Sequence, residues 1–228
     1  MKIFSFRQPL CLCLAASIAL PFAYAGTARA DVRLPALFSD GAVLQRGIAA
    51  PVWGTADAGE PVTVRINGQQ ARTTADGSGK WALQLPAMEA GGPFDLAIAG
   101  KNTIVVRDVA IGEVWVASGQ SNMEFPLRTY APGDPVYGPR ASAEIAAVHD
   151  PLLRMFTVAK KTSPESPIGN TAGPEGSWKA ASPENAGEFS AVAYSYACEL
   201  RRKLNVPVGV IHSSWYGTPA EAWTSRGA

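Results

Sequence analysis

The chain has 228 residues and is 47% hydrophobic, enough for one large or two small globular domains. Twenty Lys and Arg face nineteen Asp and Glu, a net charge of +1, which argues against nucleic acid or an anionic membrane surface as main partner. Two histidines and three cysteines, with no cluster at metal-ligand spacing, give no sign of a metal centre, and no cofactor is expected.

Residues 1–30 read as an export signal. Lys2 and Arg7 form a positive start, Leu10 to Ala25 is apolar but too short to span a membrane comfortably, and Ala23-Tyr24-Ala25 and Ala28-Arg29-Ala30 both fit a small-x-small cleavage site, with cleavage expected after Ala30. No cysteine sits in a lipobox-like context, so no membrane anchor is expected, and the protein is periplasmic or extracellular. Cys11 and Cys13 would leave with the signal. Cys198, within an apolar helical pattern, would remain alone and buried.

Residues 31–110 read as all-β and sandwich-like. Val62–Ile66 and Gln69–Thr74 flank Asn67-Gly68, a pair that adopts the positive φ angles of a type I′ hairpin turn. Trp81–Leu85 follows the turn Asp76–Gly79. Phe94–Ala99 and Thr103–Val109 form a further pair around Gly100-Lys101-Asn102. Asp57, Asp76 and Asp95 read as turn formers.

From about Ile111 strands alternate with helices. Glu113–Ser118 has the length of a buried strand and leads into Gly119-Gln120-Ser121-Asn122-Met123. A serine just past a strand end, in a tight Gly-containing turn, is where an α/β enzyme presents a nucleophile. Gln120 and Asn122 are compact donors suited to developing charge. Pro126–Pro139 is loop, Ala141–Val148 a short helix and Leu152–Val158 a second strand. Lys160–Pro183 reads as a long surface loop. Ser190–Leu204 is the clearest helix, with Val192, Tyr196, Leu200 and Leu204 as its apolar stripe, Ala193 and Ala197 beside them, and Arg201, Arg202 and Lys203 suiting its C-terminal dipole. Val206–Ile211 is a third strand. Thr218-Pro219-Ala220-Glu221 fits a capping box, so Ser213–Gly217 joins a strand to a helix N-terminus. Loops at the carboxyl ends of parallel strands converge on one crevice, so Ser121 and Gly217 should line the same site.

Gly119–Met123, with Phe189–Tyr194 and Ile211–Trp223, resembles the sialate O-acetylesterases of the SGNH hydrolase superfamily. Leu34–Gln45 and Pro51–Gly54 resemble that family's β-rich N-terminal region. The resemblance implies an α/β, flavodoxin-like three-layer hydrolase domain at 111–228, present in part and preceded by the β region. It implies removal of O-acetyl groups from sialic acid through Ser121. Gln120, Asn122, Gly217 and Thr218 would serve the oxyanion and substrate. Two departures stand out. Tyr216 occupies a position where the family usually has Gly. The family's Asp-x-x-His motif, which carries acid and base, does not occur in these residues, so the domain is expected to be truncated, with an exposed strand edge and apolar surface.

His212, at a strand end, is a candidate substitute base, while His149 suits a helix C-terminus. Glu221 is explained by the capping box. Trp215 and Trp223 fit either stacking on a sugar or packing beneath the loop, and Arg46, Arg128 or Arg154 could meet a substrate carboxylate. Three functions compete: a sialate esterase, or one for acetyl-xylan or another acetylated sugar, completed by downstream sequence; a non-catalytic carbohydrate-binding protein; and an esterase using His212 as base.

Overall fold

A computed structural model describes residues 31–130, 138–161 and 176–224. The export signal read at residues 1–30 lies outside these, as does most of the loop expected between Lys160 and Pro183.

The first half is built as the alternation of its side chains requires. After β1 (Val43–Gln45) come β2 (Ala50–Thr55), β3 (Pro61–Ile66), β4 (Gln69–Thr74), β5 (Lys80–Leu85) and β6 (Gly91–Ala99). In β3, Val62, Val64 and Ile66 point inward, as every second residue of a half-buried strand must. The β3–β4 hairpin turns at Asn67 (φ 45°) and Gly68 (φ 72°), the positive angles expected of Asn-Gly. β2 and β5 form a separate antiparallel pair. Their Val52, Trp81 and Leu85 share one core with Val62, Val64, Leu96 and Ile98 of the larger sheet. Each such side chain contributes about 1.5–3 kcal/mol by leaving water. Asp76 caps its turn by accepting the N–H groups of Ser78 (2.8 Å) and Lys80 (3.0 Å). Asp57 also lies in a turn, closed by Glu60 N–H to its carbonyl at 3.0 Å. Asp95 does not: it sits inside β6, at a register shift between Phe94 and Leu96.

The two strands read at Thr103–Val109 and Glu113–Ser118 are one, β7 (Thr103–Gly119). Its first part pairs antiparallel with β6 and, at Ala110–Gly112, parallel with β1. From Glu113 to Gly119 it pairs parallel with β10 (Val208–Ser214). The partner changes but the extended backbone does not. Gly112 permits the changeover, since a Cβ there would stand 2.0 Å from the Pro207 carbonyl oxygen. Along Glu113–Gly119 no second strand pairs with β7 among the described residues, and Trp115 and Val116 are exposed, as expected of an open edge.

β8 (Asp150–Thr157) pairs parallel with β10, and β9 (Trp178–Ala181) pairs antiparallel with β8. β9 lies where loop was expected. The order is therefore β7-β10-β8-β9. A flavodoxin-like sheet would place its first strand between the second and third; here the third parallel strand, β10, is central.

The helices are α1 (Ser121–Glu124), α2 (Gly138–Ala146), α3 (Pro183–Ala186) and α4 (Ala191–Leu204). Ala193, Tyr194 and Ala197 of α4 pack with Leu153, Met155, Val208 and Val210 on one face of the sheet. On the other face Phe156 and Trp178 join the N-terminal core, and Trp178 donates its indole N–H to the Leu37 carbonyl at 2.8 Å. The architecture is mixed α/β, with one eight-stranded mixed sheet and a two-stranded sheet.

Ser190 caps α4, its buried hydroxyl accepting from Ala193 N–H at 3.1 Å, and Asn205 ends it in the left-handed conformation. Three of the four stripe residues read from apolar spacing face outward, Val192 being 49% exposed, Tyr196 42% and Leu204 40%, while Leu200 is partly buried against the core. The small residues Ala193 and Ala197 are the ones that let the helix approach the sheet. Cys198 is partly buried against Tyr194, and burial raises its thiol pKa.

Candidate active site

β7 ends at Gly119, whose φ of 139° turns the chain abruptly into α1. The Met123 and Glu124 N–H groups both bond the Gln120 carbonyl at 3.0 Å. The first-turn N–H groups of Ser121 and Asn122 have no intrahelical acceptor. The Ser121 hydroxyl donates to Gln120 Oε1 at 2.9 Å. Gly119, Gln120, Ser121, Asn122 and Met123, with Val192 of α4, line a cavity of 420 Å³.

The loop after β10 is bonded to this turn. Trp215 N–H donates to the Gly119 carbonyl at 3.0 Å. Tyr216 N–H donates to Glu124 Oε2, and the other Glu124 oxygen pairs with the Lys160 ammonium. Ser121 and Gly217 thus belong to hydrogen-bonded neighbouring loops, although Gly217 and Thr218 are not in the cavity lining. Gly217 has φ 70°, which explains a glycine there. Tyr216, beside it, carries no positive φ and turns its ring to solvent.

The capping box is not formed. Thr218 gives its hydroxyl to the Trp215 carbonyl at 2.7 Å and accepts the Trp223 indole N–H at 2.8 Å. The following turn, Ala220–Trp223, is a single 3-10 turn headed by Pro219, with Glu221 exposed. A local hydroxyl acceptor satisfied inside its own loop is unavailable as a cap.

His212 is buried below the serine turn. Its Nε2 lies 2.5 Å from Ser214 Oγ, and the ring also bonds the Met123 backbone. Burial pushes its pKa down. Ser121 is not among these partners, so His212 supports the turn rather than addressing the hydroxyl. His149 is exposed just beyond α2. The three arginines are engaged within the protein: Arg46 with Glu113 (2.8 Å), Arg128 with Glu188 (2.7 Å) and buried Arg154 with Asp108 (2.8 Å). Sequence reasoning passed over Glu124. The signal available was its contiguity with the motif, one residue beyond Met123.

No protein-family model matches the chain. Sialate O-acetylesterase of Rattus norvegicus is 32% identical over 195 residues, which is 78% of this chain and 34% of the relative. The Pongo abelii and Homo sapiens sialate O-acetylesterases are 31% and 30% identical, each over 85% of this chain and 39% of their own length. The crystal structure of a carbohydrate acetylesterase from Xanthomonas citri superposes with a TM-score of 0.76 at 42% identity, covering 86% of this chain and 43% of that one. The chain spans about a third to two fifths of the length of these relatives. By sequence and fold alike, it is a homologue of the sialate O-acetylesterases and is related to a carbohydrate acetylesterase of known structure.

Proposed function

We propose that the protein is an exported esterase that removes O-acetyl groups from sialic acid, with Ser121 as nucleophile. Ser121 Oγ attacks the acetyl carbonyl, and the backbone N–H of Ser121, with groups of Gln120, Asn122 and the Gly217–Thr218 loop, stabilises the oxyanion. The sugar hydroxyl leaves with a proton, and water then releases acetate from the acyl-serine. The His212 imidazole is held by Ser214 and the Met123 backbone rather than by Ser121, so we assign the base, a histidine oriented by an aspartate, to residues outside those described. The observation that carries this reading is the placement of Ser121 in a cavity at a strand end, in a turn hydrogen-bonded to the glycine loop after β10.

The test is acetate release from O-acetylated sialic acid by the protein made from its complete reading frame. Ser121→Ala should lower turnover by at least about 1,000-fold, as removal of a serine nucleophile does. Retained turnover sinks the assignment. A second reading, acetyl-xylan or another acetylated sugar as substrate, is favoured by the Xanthomonas citri relative, a carbohydrate acetylesterase. Ranking kcat/KM across these esters decides between the two.

A further inference from the structure

Chain segments leaving β7, β8 and β10 reach one carboxylate. Glu124 closes α1, three residues after Ser121. Lys160, just beyond β8, pairs with its Oε1, and Tyr216 N–H, just beyond β10, donates to its Oε2. The Glu124 side chain is 18% exposed, so water competes weakly for it. A carboxylate held by both an ammonium and an N–H forms the stronger, charge-assisted kind of hydrogen bond. On the outer side of the loop it grips, nothing among the described residues lies within 4 Å of where a Gly217 Cβ would stand, and Tyr216 is 67% exposed.

We propose that Glu124 is a positioning residue for the reaction at Ser121. It holds the Tyr216–Gly217 backbone against the serine turn, and Lys160 keeps the carboxylate aimed. The inference rests on Ser121 being the nucleophile. Glu124 touches neither the ester nor the serine hydroxyl. It acts by fixing the spacing of two loops that must both meet the same tetrahedral centre. Oxyanion donors work only within about 2.7–3.1 Å of the developing charge. A misplacement of about 1 Å can cost roughly 100-fold in rate.

The experiment compares Glu124→Ala, Glu124→Gln and Ser121→Ala in the protein from its complete reading frame, reading kcat, KM and melting temperature. Glu124→Ala should lower kcat by about 100-fold with KM changed less than about threefold. Glu124→Gln keeps an acceptor for Tyr216 N–H but loses the ion pair, and should fall by about tenfold while melting like the parent. Glu199→Gln, which removes an exposed pairing with Arg202 and Lys203 on α4, serves as a control and should leave kcat unchanged. If Glu124→Ala keeps kcat within threefold, the positioning role is wrong. If it does not fold, Glu124→Gln decides: a lowered kcat in a protein of unchanged melting temperature upholds the role, and an unchanged kcat overturns it. Turnover that survives Ser121→Ala refutes the nucleophile itself, a result distinct from either.

Discussion

Replacing Arg154 with leucine tests whether this guanidinium serves the fold or a substrate. It is 8% exposed and binds both Asp108 oxygens, at 2.8 and 3.1 Å, the Gly41 carbonyl at 3.3 Å and the Pro151 carbonyl. These acceptors tie the segment before β1, the middle of β7 and the start of β8. Removing one partner of a buried pair costs about 3–5 kcal/mol, because the other is stranded. Asp108 is 52% exposed, so water recovers it and the lower end applies. The expected loss is about 3 kcal/mol, or roughly 6–12 °C in melting temperature at about 2–4 °C per kcal/mol for a chain of this size. Asp108 has φ 56°, a conformation asparagine tolerates, so Asp108→Asn removes the charge without straining the backbone. The double variant should lose less than the sum of the singles, with a coupling of about 1–2 kcal/mol. Urea unfolding followed by tryptophan fluorescence reads the stabilities, and KM is measured for anionic and neutral acetyl esters. A melting shift under about 2 °C, together with a KM rise confined to the anionic ester, would place the guanidinium at the substrate and refute the structural role.

Two further outcomes follow from close packing and from burial. Gly112→Ala sets a Cβ 2.0 Å from a backbone carbonyl that no rotamer change can move, so its cost should exceed the ordinary overpacking range of about 1–3 kcal/mol. Gly77→Ala, with open space around it, should be near neutral, and urea midpoints of the two variants check the contrast. His212 has its pKa lowered by burial, so the unfolded chain binds more protons near and below the ordinary histidine value. Its contribution is present above about pH 6.5 and is lost as pH falls from there towards the folded pKa. Melting temperatures from pH 8 to 5 should therefore decline less steeply for His212→Gln than for the parent, and parallel curves would contradict the burial argument.

Local signals were legible and long-range ones were not. Asn67-Gly68 encodes its turn in two residues, and the hairpin formed as read. The Gly119–Met123 turn was equally local, a glycine followed by a polar run at a strand end. The position of α4 was legible from its period, but its inner face was not. Apolar spacing ranks Val192, Tyr196, Leu200 and Leu204 above the neighbouring Ala193 and Ala197, whereas close approach to the sheet selects the two alanines, with Leu200 packed at the edge of their cluster. β9 was hidden because four residues in a Pro- and Gly-rich stretch carry no period, and its pairing with β8 is a tertiary event. Thr218 and Glu221 satisfy a capping pattern, yet the Trp215 carbonyl and the Trp223 indole claim the hydroxyl first. Glu124 and Lys160 lie 36 residues apart, and nothing in either segment announces the other.

The seventeen-residue strand β7 also sets a timetable for the emerging chain. Its first half can zip onto β6 almost at once, across the short connection at Gly100–Asn102. Its second half, with Val114, Trp115 and Val116, must wait for β10, since Glu113 pairs with Val208 about 95 residues later. At roughly 5–20 residues per second of synthesis, that is a delay of about 5–20 s. During that interval a finished hairpin holds out an apolar, β-prone stub with nothing yet made to receive it. Holding factors that bind short hydrophobic segments should therefore engage this chain at Glu113–Ser118 before anywhere else in its second half.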